Sequence, residues 1–377
     1  MSYVLEEKFV TAAFERADIA INGARPWDIR VTDRRFYRRV ILQDFLGFGE
    51  SYMDGWWTCD QLDVTCERLL RAGILPKDKT SAVLQYVRAK MINLQSRARA
   101  GRVIDAHYDF GNELFETMLD PRMVYTCGYW RNGATSLAEA QEAKLDLVCR
   151  KLGLQPGMRV LDIGCGYGSF MKFASERYGV ECVGYSLSKN QTDVGHDLCK
   201  GLPIEFILKD YREISGQFDR IASIGMFEAV GAKNFRPFMK VLARAMKPDA
   251  VALLHTFGDN VSHETPDPWF HKYIFPNGLI PSVKQVATAM DDLLRMEDWH
   301  TFGTDYDPTL LAWNKGFQTG WPDLQIKDPL KYTAQFKRMW EFYLLSLAAA
   351  FRVRNIELWQ IVMTPFNRSE PGSWRQS

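Results

Sequence analysis

What is missing from this sequence narrows its reading first. Neither sign of charge dominates: 47 Lys and Arg stand against 46 Asp and Glu, a net charge of +1. No global field draws such a chain to a polyanion, so nucleic acid is not an expected partner. No uncharged apolar run reaches about eighteen residues, so no segment is expected to span a bilayer. The seven cysteines, at 59, 66, 127, 149, 165, 182 and 199, form no C-x-x-C pair. That removes the usual zinc framework, and no metal is expected. The opening "MSYVLEEKFV" lacks a basic stretch followed by a long apolar one. The expectation is therefore no secretory signal and a cytoplasmic protein with reduced thiols. Internal repeats and low-complexity tracts are also missing.

The composition that remains, 46% hydrophobic and 25% charged over 377 residues, is that of a globular protein of two domains. The expected division is a small, mainly helical domain over 1–100 and a larger one over 101–377. The stretch 71–102 carries eight Arg or Lys against one Asp, and Val83, Leu84, Val87, Met91 and Leu94 recur in it at helical spacing. It reads as a basic amphipathic helix. Two uses stand open: a solvated face at a domain edge, or a surface resting on anionic lipid headgroups.

From about residue 105 strands and helices alternate. "MRVLDIG", "VECVGYS", "PIEFILKD", "FDRIASIGMF" and "AVALLHTF" read as buried strands. The helices between them predict a parallel sheet covered on both faces. "LLRMEDWHTF" and "IELWQIVMTP" read as two more strands around two long helices, and pair as a hairpin at the sheet's end. The expected fold is α/β, a seven-stranded, mostly parallel, doubly wound sheet.

In such sheets ligands bind at the carboxyl ends of the strands. There the first strand runs into "DIGCGYGSF", with Gly164, Gly166 and Gly168 at every second position. The turn is expected to point backbone N–H groups at an electron-rich ligand. It fits the dinucleotide fingerprint poorly, because a third glycine would fall at Ser169. The end of the second strand offers Ser186, Ser188 and Gln191 in place of the ribose-binding acid. The glycine pattern resembles the first motif of S-adenosylmethionine-dependent methyltransferases.

A longer resemblance covers nearly the whole chain. "LGFGESYMDGWW", "AHYDFGNELFETMLDPRMVYTCGYW", "GYSLSKNQ", "GMFEAVG", "LLHTF", "KYIFPNGLIPSV", "EDWHTFGTDYDPTLLAW" and "AAFRVRNIELWQ" resemble, in order and spacing, the bacterial cyclopropane-fatty-acyl-phospholipid synthases. The resemblance implies that a methylene from S-adenosyl-L-methionine is added across a cis double bond of an unsaturated phospholipid acyl chain. It implies a homodimer associated peripherally with the inner face of the cell membrane. It also implies a bound bicarbonate held by Cys127, Glu228, His255, Tyr306 and the backbone of Phe257. Tyr125, Thr126, Asp162, Gly164, Cys165, Gly166, Gly168, Ser186, Gln191, Asp210 and Tyr211 would bind the cofactor.

The chemistry suits these residue types. An alkene is a weak nucleophile, so the reaction needs positioning, a base for the new methyl's proton and exclusion of water. Ring faces tolerate the cation that forms, and Trp269, Phe270, Tyr273, Phe275, Trp299, Tyr306 and Trp313 lie in one region of sequence. Each residue also has a plainer use: the aromatics and His255 as core, Cys127 as buried filler, and "KDYRE" as a solvated cap. The chain departs from the family at Ala229, where histidine is usual, at Phe257 and at Leu347, where some members have cysteine. Those departures leave a methyl-branched or methylene chain open as an alternative product. A soluble-amine methyltransferase and a non-catalytic lipid binder are further alternatives.

Overall fold

The computed structural model describes residues 3–74 and 110–368. The basic helix expected over 71–102 falls outside them beyond residue 74. The chain forms two compact units. One comprises Met1–Met91, Thr265–Pro276 and Tyr306–Asn355; the other comprises Ile92–Glu264, Asn277–Asp305 and Ile356–Ser377. The division therefore does not fall at one chain position, and the long helices before the last strand group with the N-terminal helices.

In chain order the first unit begins with helix α1 (Tyr3–Glu15), strand β1 (Arg30–Val31), helix α2 (Arg35–Met53), strand β2 (Trp57–Thr58) and helix α3 (Leu62–Arg71). β1 and β2 pair antiparallel. Of the adjacent tryptophans, Trp57 is fully buried. It stacks on Phe48 at 4.3 Å and gives its indole N–H to the Phe48 carbonyl at 3.1 Å. Trp56 instead lies under the guanidinium groups of Arg35 and Arg39, at 4.4 and 4.7 Å. α2 is broken at Asp44, where the backbone leaves the helical region.

The second unit opens with helices α4 (Asn112–Met118) and α5 (Leu137–Leu152). α5 starts where Ser136 Oγ accepts the N–H of Glu139, and ends at Gly153 in the left-handed region. Then β3 (Arg159–Ile163), α6 (Ser169–Tyr178), β4 (Glu181–Ser186), α7 (Lys189–Leu198), β5 (Ile204–Leu208), β6 (Phe218–Ile224), α8 (Phe235–Ala245) and β7 (Met246–Gly258) alternate. Helix α9 (Pro268–Tyr273) belongs to the first unit. α10 (Val283–Met290) and β8 (Leu294–Thr301) return to the second. Helices α11 (Tyr306–Lys327) and α12 (Ala334–Arg352) complete the first unit, and β9 (Glu357–Pro365) completes the sheet.

The seven strands lie in the order β5-β4-β3-β6-β7-β9-β8. The first five are parallel; β9 runs antiparallel to both β7 and β8. The α/β sheet and the terminal strand pair thus form as expected. One local reading changes. The fourth strand stops at Ile224, and Phe227–Ala229 is a short 3-10 turn. In α7, Gly195 is a packing contact: a Cβ there would stand 2.7 Å from the Phe206 ring.

Candidate active site

The glycine turn joins β3 to α6 at the carboxyl edge of the sheet. Gly164, Gly166 and Gly168 all have positive φ (86°, 52° and 76°), a backbone that side-chain-bearing residues rarely adopt. A Cβ at Gly164 would stand 2.6 Å from Met226, and one at Gly168 would stand 2.5 Å from Phe206. At Gly166 nothing comes nearer than the Gln191 amide, at 3.8 Å. Gly166 is thus the open face of the turn, with Gln191 beside it. The turn is not a simple nest of outward N–H groups, as expected from sequence. The N–H groups of Gly164 and Cys165 go to the Tyr185 carbonyl, and that of Gly168 to the Cys165 carbonyl. What the turn offers is close approach.

The groups of the second strand follow in register. Ser186 is buried at the end of β4, and its Oγ accepts the Ser188 N–H at 3.1 Å. Ser188 Oγ in turn accepts the Gln191 N–H and starts α7. Asp210 accepts the Arg212 N–H at 2.9 Å and caps a 3-10 turn; Arg212 Nε reaches Tyr211 Oη at 3.3 Å. Burial raises the Tyr211 phenol above its ordinary value. The capping use of "KDYRE" is therefore real, in a buried setting.

Asp162 stands on β3 with its side chain buried and Oδ1 without a hydrogen-bond partner. Burial pushes its carboxyl up to about 7, opposed by the cation of Lys144. Lys144 is a residue that sequence reading missed. It is 1% exposed on α5, and its ammonium donates to Thr126 Oγ1 at 2.8 Å. Burial lowers it to about 8, against the pull of Asp120, Cys127 and Asp162. Thr126 is also held by its carbonyl, which accepts from Gln141 at 2.7 Å. Its methyl packs on Gly225, where a Cβ would stand 2.7 Å away. Tyr125 packs edge-on to Phe115 at 4.9 Å. Cys127 is fully buried, its thiol 3.1 Å from the Gly128 carbonyl.

Beyond β6, Gly225 gives its N–H to the His255 carbonyl at 2.8 Å. The next N–H on that edge of β7 is that of Phe257, and β6 has ended. Glu228 Oε1 takes its place and accepts this N–H at 2.5 Å. The Phe257 N–H that the resemblance offers to an anion is thus bonded to Glu228. Glu228 Oε2 is shut from solvent and has no close hydrogen-bond partner among the described residues; burial raises the carboxyl above its ordinary value, opposed by the Phe257 N–H and the Thr256 hydroxyl.

His255 is 1% exposed on β7. Burial holds it well below its ordinary value, so the ring is neutral; Lys144 and Lys151 reinforce this. Gln360 is its register partner on β9. The Gln360 amide nitrogen lies 3.3 Å from Nδ1; with the amide donating there, the ring's single proton would sit on Nε2. Nε2 is buried without a partner. Among the described residues, His255 Nε2, Glu228 Oε2, Gln360 Oε1 and Asp162 Oδ1 are buried polar atoms without a hydrogen-bond partner. Gln360 had no motif signal; only strand pairing brings it to His255.

Tyr306 belongs to the first unit. Its ring stacks on Phe351 at 4.5 Å, and its neighbour Asp307 pairs with Arg352 at 2.8 Å. On the other side of it, Asp305 accepts the Trp130 N–H at 2.7 Å and pairs with Arg131 at 2.9 Å. The aromatics divide: Trp269 and Trp313 are buried core of the first unit, while Trp299 packs against Trp359 in the second. Leu347 is buried in α12. No cluster of His, Cys, Asp or Glu among the described residues could hold a metal ion.

A family model described as mycolic acid cyclopropane synthetase matches residues 95–361. The cyclopropane-fatty-acyl-phospholipid synthase of Escherichia coli (strain K12) is 49% identical over 352 residues, 93% of this chain and 91% of that protein. The solved cyclopropane synthase MmaA2 from Mycobacterium tuberculosis is similar with a TM-score of 0.65 and 29% identity, over 70% of this chain and 97% of that one. The solved mycolic acid cyclopropane synthase CmaA1, complexed with SAH and CTAB, gives 0.64 and 30% over the same shares. With the glycine turn, the buried Asp162 and the sheet order in place, the chain belongs to the mycolic acid cyclopropane synthetase family of S-adenosylmethionine-dependent methyltransferases.

Proposed function

We propose that the protein is a cyclopropane-fatty-acyl-phospholipid synthase whose proton acceptor is a bound bicarbonate. The observation that carries the bicarbonate is the pair of buried orphans, His255 Nε2–H and Glu228 Oε2. Leaving either unmatched costs roughly 1–3 kcal/mol. Bicarbonate satisfies both, because it carries an acceptor oxygen for the imidazole N–H and a hydroxyl for the carboxylate. A neutral His255 would donate without taking the proton away, with a donating Gln360 amide at Nδ1 keeping that proton on Nε2.

When bound, S-adenosylmethionine supplies an electrophilic sulfonium methyl. The chain's residues would then do four things. Gly164, Gly166 and Gly168 admit the ligand against the backbone, with Gln191 at the open glycine and Ser186 at the next strand end. Asp162 supplies a buried acceptor at the head of the turn, and Asp210 and Tyr211 face the third strand's end. Tyr125 and Thr126 close the near side, Thr126 being fixed by Lys144. Cys127, Glu228 and His255 would hold the bicarbonate, which when bound would supply a base for the methyl proton. The substrate is an unsaturated phospholipid acyl chain, taken by a peripheral enzyme at the inner face of the cytoplasmic membrane and working as a homodimer. Among the described residues no helix is long and apolar enough to cross a membrane.

The test is incubation with methyl-labelled cofactor and vesicles of unsaturated phospholipid, followed by mass spectrometry and proton NMR of the fatty acids. Upfield ring-proton signals are expected. A labelled branched chain without a ring would overturn ring closure, and label only in an added amine would overturn the lipid substrate.

A further inference from the structure

The last turn of α11 and the connection to α12 present two large aliphatic side chains to solvent. Ile326 is 81% exposed and Leu330 is 90% exposed, the highest values among the exposed large hydrophobic residues described. They are not at a frayed end. The Asp328 carboxylate accepts the N–H groups of Leu330 and Lys331, at 3.2 and 3.1 Å. The Asp328 N–H goes to the Leu324 carbonyl, and its own carbonyl receives the Tyr332 N–H at 2.9 Å. Tyr332 is fully buried beneath the turn, edge-on to Trp321 and Phe336. A rigid aromatic base thus holds up an apolar tip.

Single exposed aliphatics need no explanation. Here two sit four residues apart on a fixed turn, each followed by a lysine, Lys327 and Lys331. Asp323 lies one helical turn before the tip, and the Asp328 charge is already directed at backbone N–H groups. An apolar tip beside cations suits the boundary between acyl chains and anionic headgroups. It suits a second protein less well: two side chains cover roughly a few hundred Å², well below a stable interface.

We infer that the α11–α12 turn is a docking element that inserts Ile326 and Leu330 into an anionic phospholipid bilayer. The inference rests on the lipid-modifying function proposed above and assigns a part of the chain to membrane contact. It uses neither the basic segment before residue 110 nor the reaction site.

The test compares wild type with Ile326→Ser/Leu330→Ser by co-sedimentation with vesicles of phosphatidylcholine and phosphatidylglycerol. Each aliphatic side chain contributes roughly tenfold to hundredfold on burial, so partitioning should fall at least on the order of 100-fold. Turnover on unsaturated phospholipid dispersed in detergent micelles should be unchanged, which also shows that the variant is folded. The conservative pair Ile326→Leu/Leu330→Phe should bind vesicles like wild type. Unchanged partitioning of the serine variant would overturn the inference, as would a serine variant that only shifts from dimer to monomer. Weakened partitioning with a wild type that modifies no lipid would support the docking element and sink the functional reading instead.

Discussion

Replacing Asp162 by Asn tests the electrostatics of the glycine turn while keeping its shape. Burial moves this carboxyl from 3.8 up to about 7, and Oδ1 has no partner to hold a charge. In the unfolded chain the proton leaves near the ordinary value; in the folded chain it stays until about pH 7. The folded state thus binds more protons across that window. Stability is unpenalised below the ordinary value and falls as pH rises through the window. At about 1.4 kcal/mol for each pH unit, the full penalty is about 4 kcal/mol. Of this, about 2–3 kcal/mol develops between about pH 5 and about pH 8. Asn carries no charge and avoids it. Denaturant melts at those two pH values should show Asp162→Asn gaining about 2–3 kcal/mol on wild type as pH rises. Equal differences at both would refute the reasoning, because Asp162 would then be ionised throughout as the partner of Lys144. The wild-type residue survives that penalty for a use, so calorimetry should show the variant binding S-adenosylhomocysteine about tenfold or more weakly.

Glu228→Gln should keep cofactor binding, since Gln can still accept the Phe257 N–H, yet lose on the order of 10²–10⁴ in turnover; wild-type turnover would remove Glu228 from the chemistry. Gln360→Glu should transfer the His255 proton to Nδ1, leaving Nε2 an acceptor facing an anion. Nitrogen NMR of the ring would report the tautomer, and the dependence of turnover on added bicarbonate should weaken at least tenfold. Trp57→Ala removes a fully buried ring and its bond to Phe48, and should destabilise the first unit by about 3–5 kcal/mol in thermal melts. Activity on anionic vesicles should fall with rising salt if the basic stretch 71–102 meets headgroups; a flat salt profile would assign docking to apolar contacts alone.

The strands and helices of the sheet were legible because their signals are local. Apolar runs of strand length and the spacing of the helices between them act within a few residues of chain. The glycine turn was legible for the same reason, although its hydrogen bonding was not. Three of its N–H groups are consumed by carbonyls of the turn and of β4, which no spacing rule reveals. Glu228 and His255 were named from motif order, but what each does locally was not readable. Glu228 finishes β7 because β6 stops short, and His255 meets the Gln360 amide from a strand 105 residues away. Lys144 carries no motif signal, and only packing buries it against Thr126.

By itself, then, the order of residues determined the alternating elements, the tight bend after β3 and the set of chemically capable side chains, since each depends on a few neighbouring backbone and side-chain preferences. Tertiary structure alone decided which polar groups stay unmatched, which carboxyl keeps its proton and which helices share a compact unit. Those outcomes follow from desolvation and from contacts between segments far apart in the chain, and neither exists until the chain has packed.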